Sequence, residues 1–395
     1  MTAATTARPA QRAAAGLAWA AAHATARAAA HPLAPRPVPI LEAAGLILAA
    51  PLVAQSAAPA ADSAAMDGYA VAGPGPWRLT GRRLAGERAP APALAAGRAV
   101  EIATGATVPA GTDAVLPYED SAVDGGFVTG TPGRPHIRRA GDHGRPGDLL
   151  LPAGRPVTPV AVAAALQFGV AEAPVVPRPR VALLITGDEV VLTGSPGPGQ
   201  VRDVFAPLVD ALVVRCGGAP AAARLVPDDR DALRTALRTA GAHVVVVSGA
   251  SSAGAADHLH AVLDRLGAVW LVDGVACRPG HPQGLAALPD GRWVVSLPGN
   301  PGAGLVAALT LLEPLVTALP ARREPPPHTA PVTGALRRRP GCTHIVPVTV
   351  AGGGPARIVP GAGSAGLRAV AAADALAVID DTWQPGAPAR LLTLP

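Results

Sequence analysis

Between Val244 and Gly267 the chain reads VVVVSGASSAGAADHLHAVLDRLG, and this stretch restricts the fold more than any other. Four consecutive valines leave no polar face, so a strand here must be covered on both sides, as in a parallel sheet flanked by helices. The run stops at Ser248-Gly249, and small residues follow from Ala250 to Ala256, with Gly254 free to take a positive φ. Leu259, Val262, Leu263 and Leu266 then fall at i, i+3, i+4 and i+7, the apolar stripe of a helix that Asp257 can cap and Gly267 ends. A strand, a small-residue loop and a helix N-terminus can bind an anion, because unpaired N–H groups and the positive end of the helix dipole converge there. An ordinary strand-to-helix turn has the same pattern.

Strands and helices alternate on both sides of this stretch. Val181–Ile185 reads as a strand ending in Thr186-Gly187-Asp188-Glu189, and 203–216 and 228–240 as helices. Strands follow at 269–275 and 293–297, with a closing helix at 304–318. The pattern predicts a three-layer α/β domain over residues 179–322 with a mostly parallel sheet. In such a sheet ligands sit at the carboxyl ends of the strands, so four tips should converge: Thr186–Glu189, Ser248–Asp257, Arg278-Pro279-Gly280-His281-Pro282, and Leu297-Pro298-Gly299-Asn300-Pro301. The last holds the only asparagine of the chain, between two prolines that fix the loop. Read alone, it is equally a structural Pro-Gly turn. Asp188 and Glu189 could hold a magnesium ion beside a phosphate substrate, or could cap a helix start. His258 and His260 lie on different helix faces and read as solvated.

With 395 residues the chain exceeds one core. From Val71 to about Ile137, short apolar runs punctuated by Gly and Pro predict a small β-barrel or sandwich, and residues 63–137 are assigned to this inserted module. Residues 36–62 and 138–178 form an elongated linker domain around it, with helices expected over 38–49 and 158–168. Residues 323–395 carry four strand-like runs and form a C-terminal β domain. The acid-free, Ala-rich residues 1–35 read as a frayed tail or a weak helix.

The net charge of +5 is local. Arg8, Arg12, Arg27 and Arg36 all precede the first acid, Glu42, and aromatics are only 3% of the chain, so a nucleic-acid partner is not expected. Cys216, Cys277 and Cys342 are odd in number and far apart, which suits a reducing cytoplasm rather than a disulfide framework or zinc site. Residues 43–61 lack charge but are interrupted by Pro51, Gln55, Ser56 and Pro59, so no membrane span is expected there.

Several motifs together resemble the molybdopterin molybdenumtransferase family, which includes the E domain of gephyrin. They are SAAMDGYAV at 63–71, ATGATVPAGTDAV at 103–115, LITGDEV at 184–190, the Ser-Gly…Gly-x-x-Asp frame at 248–257, RPGHP, LPGNP, and GSAGL at 363–367, in the order the family has them. The resemblance spans about Val38 to Leu394. It implies a four-domain subunit in an elongated homodimer with active sites shared between subunits. The implied reaction inserts molybdate into adenylylated molybdopterin with magnesium, releasing AMP, and a molybdopterin adenylyltransferase is an implied partner. By motif match, Asp67, Thr104, Glu189 and Asp257 are active-site residues. The resemblance further implies that Thr186, Gly187, Asp188, Ser248, Gly249, Gly254, Arg278, Gly280, His281, Pro282, Pro298, Gly299, Asn300, Pro301 and Ser364 bind the pterin and oxyanion, with Asp188 and Glu189 as expected magnesium ligands.

The chain departs from the family pattern where the oxyanion loop usually reads Lys-Pro-Gly-Lys-Pro. Here Arg278 and His281 stand for the lysines, in a chain with no lysine at all. Ala250 replaces a loop glycine, and Pro347 falls where an arginine is usual. An asparagine usual after the acid near Asp203 is also missing. These departures leave a second reading, a diverged homologue that binds molybdopterin or partner proteins without catalysis. Pterin adenylylation would use the same α/β fold but leaves the β module and SAAMDGYAV unexplained.

Overall fold

The computed structural model describes residues 16–249, 258–323, 326–361 and 366–395. They form two compact units, one of residues 36–175 and one of the described residues in 16–35 and 176–395.

In the second unit the four valines behave as their composition demands. All are fully buried, Val244 and Val246 in one core and Val245 and Val247 in another, on opposite faces of the sheet. The strand Val244–Ser248 lies between Arg180–Thr186 and Trp293–Leu297, parallel to both. Ala219–Pro220 and Arg224–Val226 extend the parallel side. Gly284–Ala287 and Val269–Asp273 extend the other side antiparallel. One face is covered by Phe205–Arg215 and the helical run from Pro301 to Ala318, the other by Arg230–Thr239 and Leu259–Arg265. The run 301–318 is apolar and long enough to cross a membrane, but it is the core helix of this domain and mostly buried. Helix starts are capped locally: Asp203 accepts the N–H groups of Phe205 and Ala206, and Asp229 those of Asp231 and Ala232.

The leading segment has a structural role. Trp19–Ala29 is a helix with Trp19, Ala22, His23 and Ala26 buried. Trp19 Nε1 donates to Thr310 Oγ1 (3.0 Å), and Thr310 in turn donates to the Val306 carbonyl (2.7 Å). An 11-residue Ala-rich helix is marginal alone, so its stability comes from this packing.

The C-terminal domain is a closed barrel. Thr343–Val350, Ala356–Ile358, His328–Thr333, Pro388–Thr393 and Ala375–Ile379 are hydrogen-bonded in that order, and the last pairs back onto the first. Val332, Val348, Ala377, Ile379 and Leu391 fill it. Cys277–Arg278, leading into RPGHP, joins its edge parallel to Thr343–Val350.

In the unit 36–175, six strands from Gly68 to Gly130 form a curled sheet covered on both faces. Ala70, Ala72, Ile102 and Val115 pack on one side, and Val71, Trp77, Leu116 and Val128 on the other. Thr158 caps the helix Pro159–Gln167 as its sequence indicates. The helix expected over 38–49 is absent. Arg36–Pro39 is a strand paired with Glu172–Val176, followed by one 3-10 turn at Ile40–Glu42 and the short strand Ile47–Leu48. Pro37 and Pro39 hold the chain extended. Gly45 takes φ 80°, and Val38, Ile40 and Leu48 are buried against Val157, Val170 and Val175. The apolar spacing reflects strand and turn packing rather than a helix stripe.

Candidate functional site

Thr186 ends its strand with its Oγ1 donating to the Ser248 carbonyl on the next strand (2.8 Å). Gly249 N–H donates to the Leu297 carbonyl (3.1 Å), and a Cβ on Gly299 would lie 3.5 Å from Gly249 Cα. Three predicted tips therefore meet. The fourth arrives by a different route. Gly284 pairs with Ser296 and with Asp273, so the antiparallel strand starts where Trp293–Leu297 ends, and RPGHP sits at the same sheet edge.

The glycines at this edge are required by close approach. Gly249 has φ 90°, and a Cβ there would lie 2.7 Å from the Thr186 carbonyl oxygen and 2.9 Å from its hydroxyl. Gly249→Ala is therefore expected to cost about 1–3 kcal/mol and to weaken ligand binding at this edge. Urea denaturation reads the first, and a change below 0.5 kcal/mol, the usual range for an unremarkable surface site, would contradict it. Gly187 has φ 120°, and a Cβ there would lie 2.8 Å from the Glu189 carboxylate, so that side chain folds back over the turn.

Asp188 and Glu189 are exposed. Asp188 Oδ1 accepts the backbone N–H of Asp228 (3.2 Å), which follows the neighbouring strand Arg224–Val226. This link from the Asp228 backbone to the Asp188 side chain is one that sequence reasoning did not foresee. Of the adjacent acids Asp228 and Asp229, Asp229 is the helix cap. Carboxylate oxygens at this edge match the hard-oxygen preference of magnesium, which takes one or two carboxylates and completes its shell with water and phosphate.

In LPGNP, the Asn300 carbonyl accepts the Gly304 N–H (2.8 Å) while its exposed amide makes no cap bond, and Pro301 begins the helix. In RPGHP, Gly280 has φ 101° and packs against Ala303 and Val306, and Gln283 Nε2 donates to its carbonyl (2.7 Å). His281 is exposed, with Nδ1 2.7 Å from the Val275 carbonyl, so Nδ1 carries the proton. Pro282 is exposed beside it. Arg278 and Pro279 line a cavity of about 400 Å³ with Gly302, His344 and Pro347. Gly254 and Asp257 fall within 250–257, and Ser364 within 362–365, outside the described residues.

The unit 36–175 contributes a separate cluster. Asp67 Oδ1 accepts the Thr104 N–H (2.6 Å). Gly105, at φ 80°, turns the loop, and its N–H donates to the Ala64 carbonyl while Ala64 N–H donates to Ala106. The Thr104 backbone bond, then its side-chain bond, hold the exposed Asp67 carboxyl below the usual carboxylate range.

Residues 17–169 match the MoeA N-terminal region (domain I and II), and residues 182–318 match a probable molybdopterin binding domain. A molybdopterin molybdenumtransferase from Synechococcus elongatus is 36% identical over 306 residues, covering 73% of this chain and 76% of the relative. Molybdopterin molybdenumtransferase 2 of Mycobacterium tuberculosis is 35% identical over 306 residues, covering 71% of this chain and 74% of its own. A solved molybdopterin biosynthesis moeA protein from Pyrococcus horikosii superposes with a TM-score of 0.79 at 26% identity, covering 96% of this chain and 99% of that one. Identity of this level over three quarters of a relative, on a fold shared along nearly the whole chain, makes this protein a member of the molybdopterin molybdenumtransferase family.

Proposed function

We propose that the protein is a transferase that inserts molybdate into adenylylated molybdopterin and releases AMP. The observation that carries this reading is the gathering of TGDE, Ser248-Gly249, RPGHP and LPGNP at one sheet edge, in a chain of this family. A substrate with a pyrophosphate and a dianionic oxyanion needs backbone donors and cations, and this edge offers both. The tight turns at Gly187 and Gly249 let phosphate oxygens approach the backbone without meeting a Cβ. The Asn300 amide and the Pro298 and Pro301 rings shape the wall for the pterin. Arg278 supplies the fixed positive charge for the oxyanion.

Magnesium fits the oxygen donors of Asp188 and Glu189 and, when bound, offsets phosphate charge as AMP leaves. Asp67 and Thr104 act in the same reaction by motif match, with Asp67 keeping the Thr104 loop in place. Asp257 and Ser364 belong to this reading as active-site acid and ligand-binding hydroxyl. A homodimer is part of the proposal, supported by exposed apolar side chains on the unit 36–175, notably Leu41 and Val160. So are a molybdopterin adenylyltransferase as the supplying partner and a cytoplasmic setting, the latter in keeping with three free cysteines.

The test is AMP release by purified protein given adenylylated molybdopterin, molybdate and magnesium. Molybdate-dependent release supports the activity. Folded protein that binds pterin but releases no AMP overturns it.

A further inference from the structure

The cavity beside Arg278 contains one more polar group, and its chemistry differs from that of His281. Arg278 and His344 are register partners on adjacent parallel strands, so their side chains leave the sheet on one face, and both line the cavity. His344 is 9% exposed, and its Nε2 accepts the Arg339 backbone N–H (3.1 Å). That bond assigns the ring proton to Nδ1, which has no partner among the described residues. Burial, then the charges of Arg278 and Arg338, lower the pKa of His344, so the ring stays neutral and the tautomer stays fixed. His281 is the opposite case. Its Nδ1 is already engaged by the Val275 carbonyl, so it offers no free Nδ1–H to a ligand. Pro347 lines the same cavity and has no donor.

We propose that His344 is a substrate-binding residue for the tetrahedral oxyanion, its Nδ1–H donating to an anion oxygen beside the Arg278 guanidinium. This deepens the proposed molybdate insertion and rests on it. The arrangement replaces mobile lysine cations with one arginine and one neutral, pre-oriented donor. A fixed donor loses little freedom on binding and selects for oxygen position rather than charge alone.

Two substitutions divide the two ring nitrogens. In His344→Gln the amide oxygen can still accept the Arg339 N–H, as Nε2 does, but the cavity donor is lost. In His344→Asn the amide nitrogen occupies the place of Nδ1, while the bond to Arg339 is lost. We expect His344→Gln to raise the KM for molybdate about tenfold, the scale of one hydrogen bond to a charged group, with kcat and the pterin KM unchanged. His344→Asn should stay within about threefold of the parent. A purely structural role reverses this order, and that result would overturn the proposal. Should His344→Gln melt early, His344→Asn decides alone, since a tenfold rise there is equally fatal. Calorimetric titration with molybdate alone should give the same ranking without turnover, so loss of the His344 donor is visible even if the protein proves inactive. Arg278→Gln separates the two readings. A molybdate KM unmoved by Arg278→Gln sinks the assignment of this loop, and the His344 proposal with it. An effect of Arg278→Gln without one of His344→Gln sinks the His344 proposal alone.

Discussion

Asp67→Ala is expected to lower kcat/KM for adenylylated molybdopterin about a hundredfold, the usual loss when a reacting loop shifts by about 1 Å, and to leave the melting temperature unchanged. The carboxylate is exposed and buries nothing, so its removal falls among surface changes of small stability effect. What it does is hold Thr104 through a 2.6 Å bond from the backbone N–H. Asp67→Asn retains an acceptor oxygen there and should keep activity within about tenfold of the parent. Equal inactivation of both variants would assign Asp67 a role through its charge instead. The sign of any pH effect is fixed by the lowered pKa: the bond is intact above the usual carboxylate range and weakens only as pH falls through the depressed value. Activity therefore should not change near neutrality on account of Asp67.

Trp19→Ala is expected to destabilise the unit containing residues 176–395 by about 3–5 kcal/mol. Trp19 is almost fully buried in the core that also holds Leu309 and Leu312. Its ring faces the Arg390 guanidinium at 5.5 Å and lies tilted against His23. Removing it leaves a cavity and takes the donor from Thr310 Oγ1. Trp19→Phe keeps most of the packing and should cost about 1 kcal/mol from the lost N–H. Because the chain has two units, denaturation should be followed by a probe in each, with only one transition shifting. A loss under 1 kcal/mol for Trp19→Ala would mean that the leading helix merely rests on the surface.

The α/β layers were legible because burial on both faces forces a run such as VVVVS, and because helices 205–215, 230–239 and 259–265 carry their stops and spacings in local chemistry. The strand tips were legible for the same reason, as small residues and prolines sit where a parallel sheet must turn. What could not be read depends on partners distant in sequence. Residues 38–49 have a helix-like spacing, but pairing with Glu172–Val176 selects a strand. The Ala-rich leader has weak intrinsic preference, and Thr310 and its neighbours decide its fate. The bond from the Asp228 N–H to Asp188 needs their strands side by side, and His344 meets Arg278 only when the barrel strand pairs with Cys277–Arg278. Motif resemblance reached Asp67 and Thr104, which local patterning alone would have left as an ordinary loop.

The larger unit is interrupted in sequence by the whole of the smaller one, and this sets an order of events during synthesis. The helix Trp19–Ala29 is made early, yet its partner Thr310 emerges about 280 residues later, roughly 15–55 s at typical elongation rates. Residues 36–175 have their own sheets and cores and can close within that interval. Meanwhile the nascent leader holds an unpaired tryptophan and an alanine face in the open. This early helix is thus among the last to find its place.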